Sequence, residues 1–157
     1  MKRVIGVGVV LMLGGIVSMA AAQNPSPRQR PHLPLWLVPD TLAICRLDAG
    51  ARLPRWAEGP SAFLTVSRTA EELSITAVQR LVPADAKCER DYRALRVRGP
   101  LPLDLVGILA SIAEPLAEAG LSIFAISTYD TDYVLVKSAD LPAALEALER
   151  AGHRVTR

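Results

Sequence analysis

The sequence has only two cysteines, two histidines and 4% aromatic residues in 157 positions. Two cysteines are too few for a disulfide-dense miniprotein. Cys45 and Cys88 form no Cys-x-x-Cys pattern, which excludes a zinc ribbon or a thioredoxin-type motif. Neither His32 nor His153 has a partner set by spacing. No GxSxG elbow, P-loop or GxGxxG stands in the chain. With no nucleophile–base pair visible, the chain is expected not to be an enzyme and to need no cofactor. Charge of one sign is also lacking, since 18 basic residues face 16 acidic ones. A nucleic-acid module driven by bulk charge is therefore disfavoured.

What is present is apolar: 50% of the residues, broken up by 12 prolines and 10 glycines. Such a chain buries enough surface to offset its ordering entropy, which argues against disorder. Its length allows one ordinary domain or two small similar ones.

Lys2 and Arg3 precede an uncharged apolar run from Val4 to Val17, and Ala20-x-Ala22 offers a small-residue cleavage site. This is the pattern of a signal peptide over residues 1–22. The run is shorter than the ~20 residues of a membrane-spanning helix. Export, to the periplasm or outside the cell, is the expectation, with no membrane contact after cleavage. A cytoplasmic protein starting at Met19 is the alternative. Residues 23–32 read as a flexible Pro-rich leader.

Charge is uneven beyond the leader's start. Residues 23–98 hold 12 basic and 8 acidic groups, and residues 99–157 hold 4 basic and 8 acidic ones. Two opposed halves suggest surfaces that meet, within the chain or across a dimer. The basic strand face of Arg90, Arg93, Arg96 and Arg98, with no interleaved aromatics, is expected to meet the acidic half rather than RNA.

Residues 91–157 read as one unit. Arg93 to Arg98 alternates like a half-buried strand, stopped by Gly99-Pro100. A helix is expected over 102–119, with a stripe of Leu105, Leu109, Ile112 and Leu116. Asp104 would stand near its positive end, Pro115 would kink it, and Gly120 would end it. Strands are expected over 121–127 and 133–137, the first of them covered on both faces. The polar connection 128–132 is short enough for a hairpin. A second helix to Ala151, capped by Ser138 or Asp140, and a short strand over 153–156 complete the order βαββαβ. That order is the α+β, ferredoxin-like arrangement.

Residues 33–90 look like a reduced version of the same unit. Strands are expected at 36–38 and 41–47, separated by Pro39-Asp40. A loop over 48–60 has one helical turn near Trp56. A hairpin over 63–79 has Thr69-Ala70-Glu71-Glu72 as its connection, and 83–91 is a charged linker. Cys45 reads as a small buried hydrophobe, with a Cys45–Cys88 disulfide possible in an exported protein.

The segment from Ser122 to Val136, with Arg96–Leu101 and Phe63–Ser74, resembles a bacterial family of small tandem ACT-like proteins. The arginine sensors of the CASTOR type contain related ACT units. The resemblance covers about residues 34–153. It implies a tandem pair of ACT-like domains, a homodimer, and an amino acid bound at an interface. The carried-over segments are 99–104 and 126–132. Within them the candidate ligand residues are Gly99, Pro100, Leu101, Leu103, Asp104, Ile126, Ser127, Thr128, Asp130, Thr131 and Asp132. Members of that family usually lack an export leader, and the expected signal peptide departs from that pattern.

Physically, backbone N–H groups at the helix start can hold a carboxylate. Asp130 or Asp132 can pair with an ammonium, and Ser127, Thr128 and Thr131 can orient it. The competing reading has the same residues building Asx-type turns, with hydroxyls bonding their own backbone. Two carboxylates without a nearby His make a poor metal site, and no metal is expected. The expected function is a non-enzymatic regulatory protein sensing a small amino acid. The alternative is a protein–protein interaction module with no small ligand.

Overall fold

The computed structural model describes residues 31–157. The expected signal peptide and most of the leader lie outside the described residues.

Seven strands and two helices follow the order β1 (Pro34–Leu47), β2 (Leu64–Arg68), β3 (Leu73–Val78), β4 (Cys88–Val97), α1 (Ile108–Glu118), β5 (Phe124–Ser127), β6 (Asp132–Lys137), α2 (Leu141–Arg150) and β7 (Arg154–Thr156). They form one sheet in the order β2-β3-β1-β4-β6-β5, with β7 paired to β1 off that path. The fold is α+β, as the sequence led us to expect.

β1 joins the two expected units. On one side it pairs with β4 along most of its length. On the other it pairs with β7 in parallel through residues 34–36 and with β3 antiparallel through 42–47. The start of β1 thus occupies the edge of β4 where the last strand of a ferredoxin-like unit would lie, and β7 docks outside it. Pro39-Asp40 does not break this strand in two. Register shifts between Leu37 and Thr41 against β4, and the partner on the far side changes in the same interval. Neither ladder needs an N–H at residue 39, so the proline is tolerated. Much of the expected linker at 83–91 is strand as well, since β4 begins at Cys88, and the residue 90/91 junction falls inside it.

Alternation divides the sheet into two faces. Leu35, Leu37, Leu95, Val97, Val134 and Val136 pack against Ile112 and Leu116 of α1 and Ala144 and Leu148 of α2. Each fully buried aliphatic side chain there contributes about 1.5–3 kcal/mol. On the opposite face Val38, Leu42, Val78, Ala94 and Leu135 gather round Phe63. The Phe63 ring meets the Tyr133 ring edge-on with centroids 5.0 Å apart. A third cluster, under the β1–β2 connection, holds Ala43, Ile75 and Ala57, with Trp56 packed against it. There a single 3-10 turn, Arg55–Ala57, stands where a full unit would have a helix. Thr69 accepts the N–H groups of Glu71 and Glu72 at 3.1 and 3.2 Å and so builds the β2–β3 turn.

Several local expectations are corrected. The helix expected over 102–119 begins only at Ile108, after Gly107 with φ of 86°. Residues 102–105 form a separate turn closed by the Leu105 N–H on the Pro102 carbonyl, 3.2 Å. Leu105 and Val106 therefore leave the buried stripe and are exposed. β5 is shorter than expected and is an edge strand, so Phe124, Ala125 and Ser127 are exposed rather than covered on both faces. Neither Ser138 nor Asp140 caps α2 through its side chain; a 3-10 turn, Ser138–Asp140, leads into it. Cys45 and Cys88 are directly opposed across β1 and β4 and are joined as a disulfide.

Three of the four arginines on the basic strand face bond carbonyl or hydroxyl oxygens, not the carboxylates of the acidic half. Arg90, Arg93 and Arg98 bond the Pro83 carbonyl, the Val38 carbonyl and the Thr156 hydroxyl at 2.5, 3.1 and 3.1 Å. One ion pair between the halves is Lys137 with Glu89, 3.1 Å. The physical reason is placement: β4 lies inside the sheet, so Arg93 and Arg98 reach oxygens on β1 and β7.

Candidate functional site

The bend after β4 and the tip of the β5–β6 hairpin are built against each other. The Leu101 N–H donates to the Asp130 carbonyl at 2.8 Å. A Cβ on Gly99 would lie 2.6 Å from that same oxygen, so glycine is required for the approach. The Thr131 side chain is buried, and its hydroxyl donates to the Val97 carbonyl at 2.6 Å, tying the hairpin to the end of β4. Within the tip, both the N–H and the hydroxyl of Thr128 donate to the Thr131 carbonyl, at 2.9 and 2.8 Å. The Ser127 hydroxyl donates to an Asp132 carboxylate oxygen at 2.5 Å.

Between these parts and the start of α1 lies a cleft of about 220 Å³. Its apolar side is Leu101, Pro102, Leu103, Leu105 and Ile108, and its polar side is Ser127, Thr128, Tyr129, Thr131 and Asp132. Asp132 is the one charged residue in this lining. The pairing Ser127↔Asp132 shares a face with Ala125↔Val134, the helix side of the sheet. α1 opens on Gly107, which has no side chain to cap it, and has no acidic residue in its first turn. The uncapped start of α1 thus borders the cleft at Ile108. The arrangement offers oriented N–H donors for an anionic group, a carboxylate for a cationic one, and apolar walls.

The structure brings together Leu101, Leu103, Ser127, Thr128, Thr131 and Asp132 from the expected set. Gly99 shapes the frame from behind. Pro100 and the side chain of Asp104 stand outside the lining, Asp104 exposed on the 103–104 turn. Asp130 contributes its backbone carbonyl, and its residue is exposed. Ile126 pairs with Tyr133 and points to the opposite face. Thr128 uses its hydroxyl inside the turn, as the turn-building reading has it, whereas Thr131 spends its hydroxyl on the Val97 carbonyl of β4. Pro102 and Tyr129 fell in the carried-over segments without being singled out. Leu105 was read as helix stripe and Ile108 was unremarked; periodicity could not find them, because the helix starts later than its pattern. Among the described residues no group of three or more His, Cys, Asp or Glu is placed to hold a metal. None of their helices is long and apolar enough to cross a membrane.

Comparison with known proteins places this geometry. The sequence model of the ACT domain matches residues 87–150. A separate model, described as an N-terminal domain, matches residues 40–85. The human cytosolic arginine sensor for mTORC1 subunit 1 is 42% identical over 60 residues, which is 38% of this chain. The mouse protein of that name is 35% identical over 78 residues, or 46% of this chain. The matched segments span only 18% and 24% of those curated relatives. The crystal structure of protein Atu0741 from Agobacterium tumefaciens is similar with a TM-score of 0.75 and 34% identity, covering 80% of this chain and 93% of that one. The aspartate kinase of Clostridium acetobutylicum shares the fold alone, at 10% identity and a TM-score of 0.58 over 78% of this chain and 35% of that one.

Proposed function

This chain belongs to the ACT-domain family, and from that premise we propose that it is a non-catalytic regulatory protein that binds a free amino acid in the cleft between the 101–108 segment and the β5–β6 hairpin. One observation carries the reading: the cleft sets a lone carboxylate, Asp132, among apolar walls beside a helix start that no side chain caps. An α-amino acid presents the complementary pair of charges. Arginine is the first ligand to test, because curated relatives are named as arginine sensors and the cleft's one charged residue is an acid. Binding would act by favouring one of two arrangements of the protein.

The mouth of the cleft also supports a homodimer. Leu103, Val106 and Tyr129 are 74, 74 and 81% exposed, and a second copy would cover them. The Cys45–Cys88 disulfide supports export to an oxidising compartment. An intact mass beginning at Gln23 agrees with export, and one beginning at Met19 or Met1 refutes it.

A thermal-shift screen with the twenty amino acids tests the ligand. A ligand at 100 times its Kd adds about 2.7 kcal/mol of stability. Arginine is expected to raise Tm, and Asp132→Asn to abolish the rise without unfolding the protein. No shift with any amino acid, or a shift untouched by Asp132→Asn, refutes the site.

A further inference from the structure

We propose that the face of the sheet away from the helices carries a second ligand site, for a small molecule bearing an oxyanion, built by Arg96 and Arg98 beside Trp36. Leu95 and Val97 are buried under the helices, so Arg96 between them faces the other way. There it stands directly across from Trp36 on β1 and from Tyr133 on β6. Trp36 in turn pairs with Thr156 on β7. The row Thr156–Trp36–Arg96–Tyr133 thus crosses four strands on one face.

Arg96 is placed at a cost that the fold does not repay. Its Nε is buried with no hydrogen-bond partner, and among the described residues no carboxylate pairs with it. A buried donor on a charged group is expensive when it is left unmatched. Arg98 spends one guanidinium nitrogen on the Thr156 hydroxyl, 3.1 Å, and is otherwise exposed. The two arginines line a cavity of about 300 Å³ together with Trp36 and Gly99, with no acidic residue in the lining. Two forked donors facing one void suit the planar or tetrahedral oxygens of a carboxylate or a phosphate. The indole gives an apolar or planar body something to lie against.

The test uses the full chain and the Trp36 fluorescence. Trp56→Phe leaves Trp36 as the remaining tryptophan of two. Inorganic phosphate and acetate are titrated separately at constant ionic strength set with sodium chloride. At least one is expected to give a saturable change. Arg98→Gln, at an exposed position, is expected to raise its Kd about tenfold or more, as loss of a charge-assisted hydrogen bond would. Arg96→Lys, which keeps the charge and loses the fork, is expected to weaken binding too. Saturation with phosphate assigns a phosphate group, and saturation with acetate a carboxylate. Asp132→Asn is expected to leave this binding unchanged, which separates it from the cleft on the helix side. A linear change with both anions, or saturation that Arg98→Gln does not weaken, overturns the proposal.

Discussion

The imidazole of His153 takes over a hydrogen bond that Pro115 cannot make. In a regular helix the N–H of residue 115 would donate to the carbonyl of Ser111, and proline has none. In this protein His153 Nε2 lies 2.9 Å from that carbonyl oxygen. Its Nδ1 accepts the N–H of Leu33 at 3.1 Å, so the hydrogen belongs on Nε2 and the ring is neutral. One buried side chain therefore repairs α1 and anchors the start of β1 to the last turn before β7.

Replacing His153 by Phe keeps the ring volume and orphans two buried backbone groups. The expected loss is about 2–6 kcal/mol, at 1–3 kcal/mol for each group. In a Pro115→Ala background the loss is expected to be smaller by about 1 kcal/mol, because the alanine N–H supplies the missing donor. Urea unfolding of the single and double variants measures that coupling. Strict additivity would show that Pro115 and His153 are unrelated.

Gly99→Ala forces a methyl group to within 2.6 Å of the Asp130 carbonyl. Overpacking of this kind costs about 1–3 kcal/mol. The hairpin tip is expected to move, so amino-acid-induced stabilisation falls along with Tm. A variant with unchanged Tm and unchanged ligand response would mean that the bend and the tip are not held together.

Thr131→Val removes the hydroxyl bonded to the Val97 carbonyl and is nearly isosteric. An expected loss of about 1–3 kcal/mol follows from the orphaned buried acceptor. Hydrogen exchange at Leu101, whose N–H bonds the same tip, should quicken at the same time.

The disulfide closes a loop with a sequence separation of 43. In the chain-entropy view this restricts the unfolded chain by about 4 kcal/mol. Cys45→Ala with Cys88→Ala is expected to lower unfolding stability by up to that amount and to remove any effect of reductant. Equal stability with and without reductant in the parent protein would show that the two sulfurs are not joined.

Lys137 gives the molecule an alkaline limit. Burial by itself pulls its pKa down. The hydrogen bond to Glu89 and the influence of Tyr92, whose ring centre lies 4.2 Å from Nζ, outweigh that and hold it above the usual lysine value. A group whose folded pKa is raised stabilises fully below its unfolded pKa and loses that contribution as pH rises through the folded one. Stability is therefore expected to decline above about pH 10.4, the ordinary lysine value, and Lys137→Met is expected to flatten the decline. Unfolding in urea at pH 9 and at pH 11 compares the two.

Much of this molecule could be read from its residues in order. Alternation marked β2, β3 and β6, and Thr69 marked the turn between the first two. Leucine spacing with Gly152 marked α2, and the polar Thr128–Asp132 stretch marked the hairpin tip. These are local features, set by side-chain period and backbone freedom within a few residues. The segment 102–107 was misread because an apolar run with helical spacing looks the same whether it is buried or exposed. Leu101 spends its N–H on Asp130, and the helix starts only after Gly107, at Ile108 instead of 102.

Other features depend on which distant strands become neighbours. β1 reads as two short strands around Pro39-Asp40. It is one strand because its register against β4 shifts there while the partner on the other side changes from β7 to β3, and no local pattern encodes either change. Cys45 and Cys88 meet because β1 and β4 share a register. Arg96 is left unpaired for a similar reason, with Trp36 and Tyr133 across from it. The neighbours of a central strand come from chain far away, so its pairings follow from packing the whole sheet and not from the residues beside it.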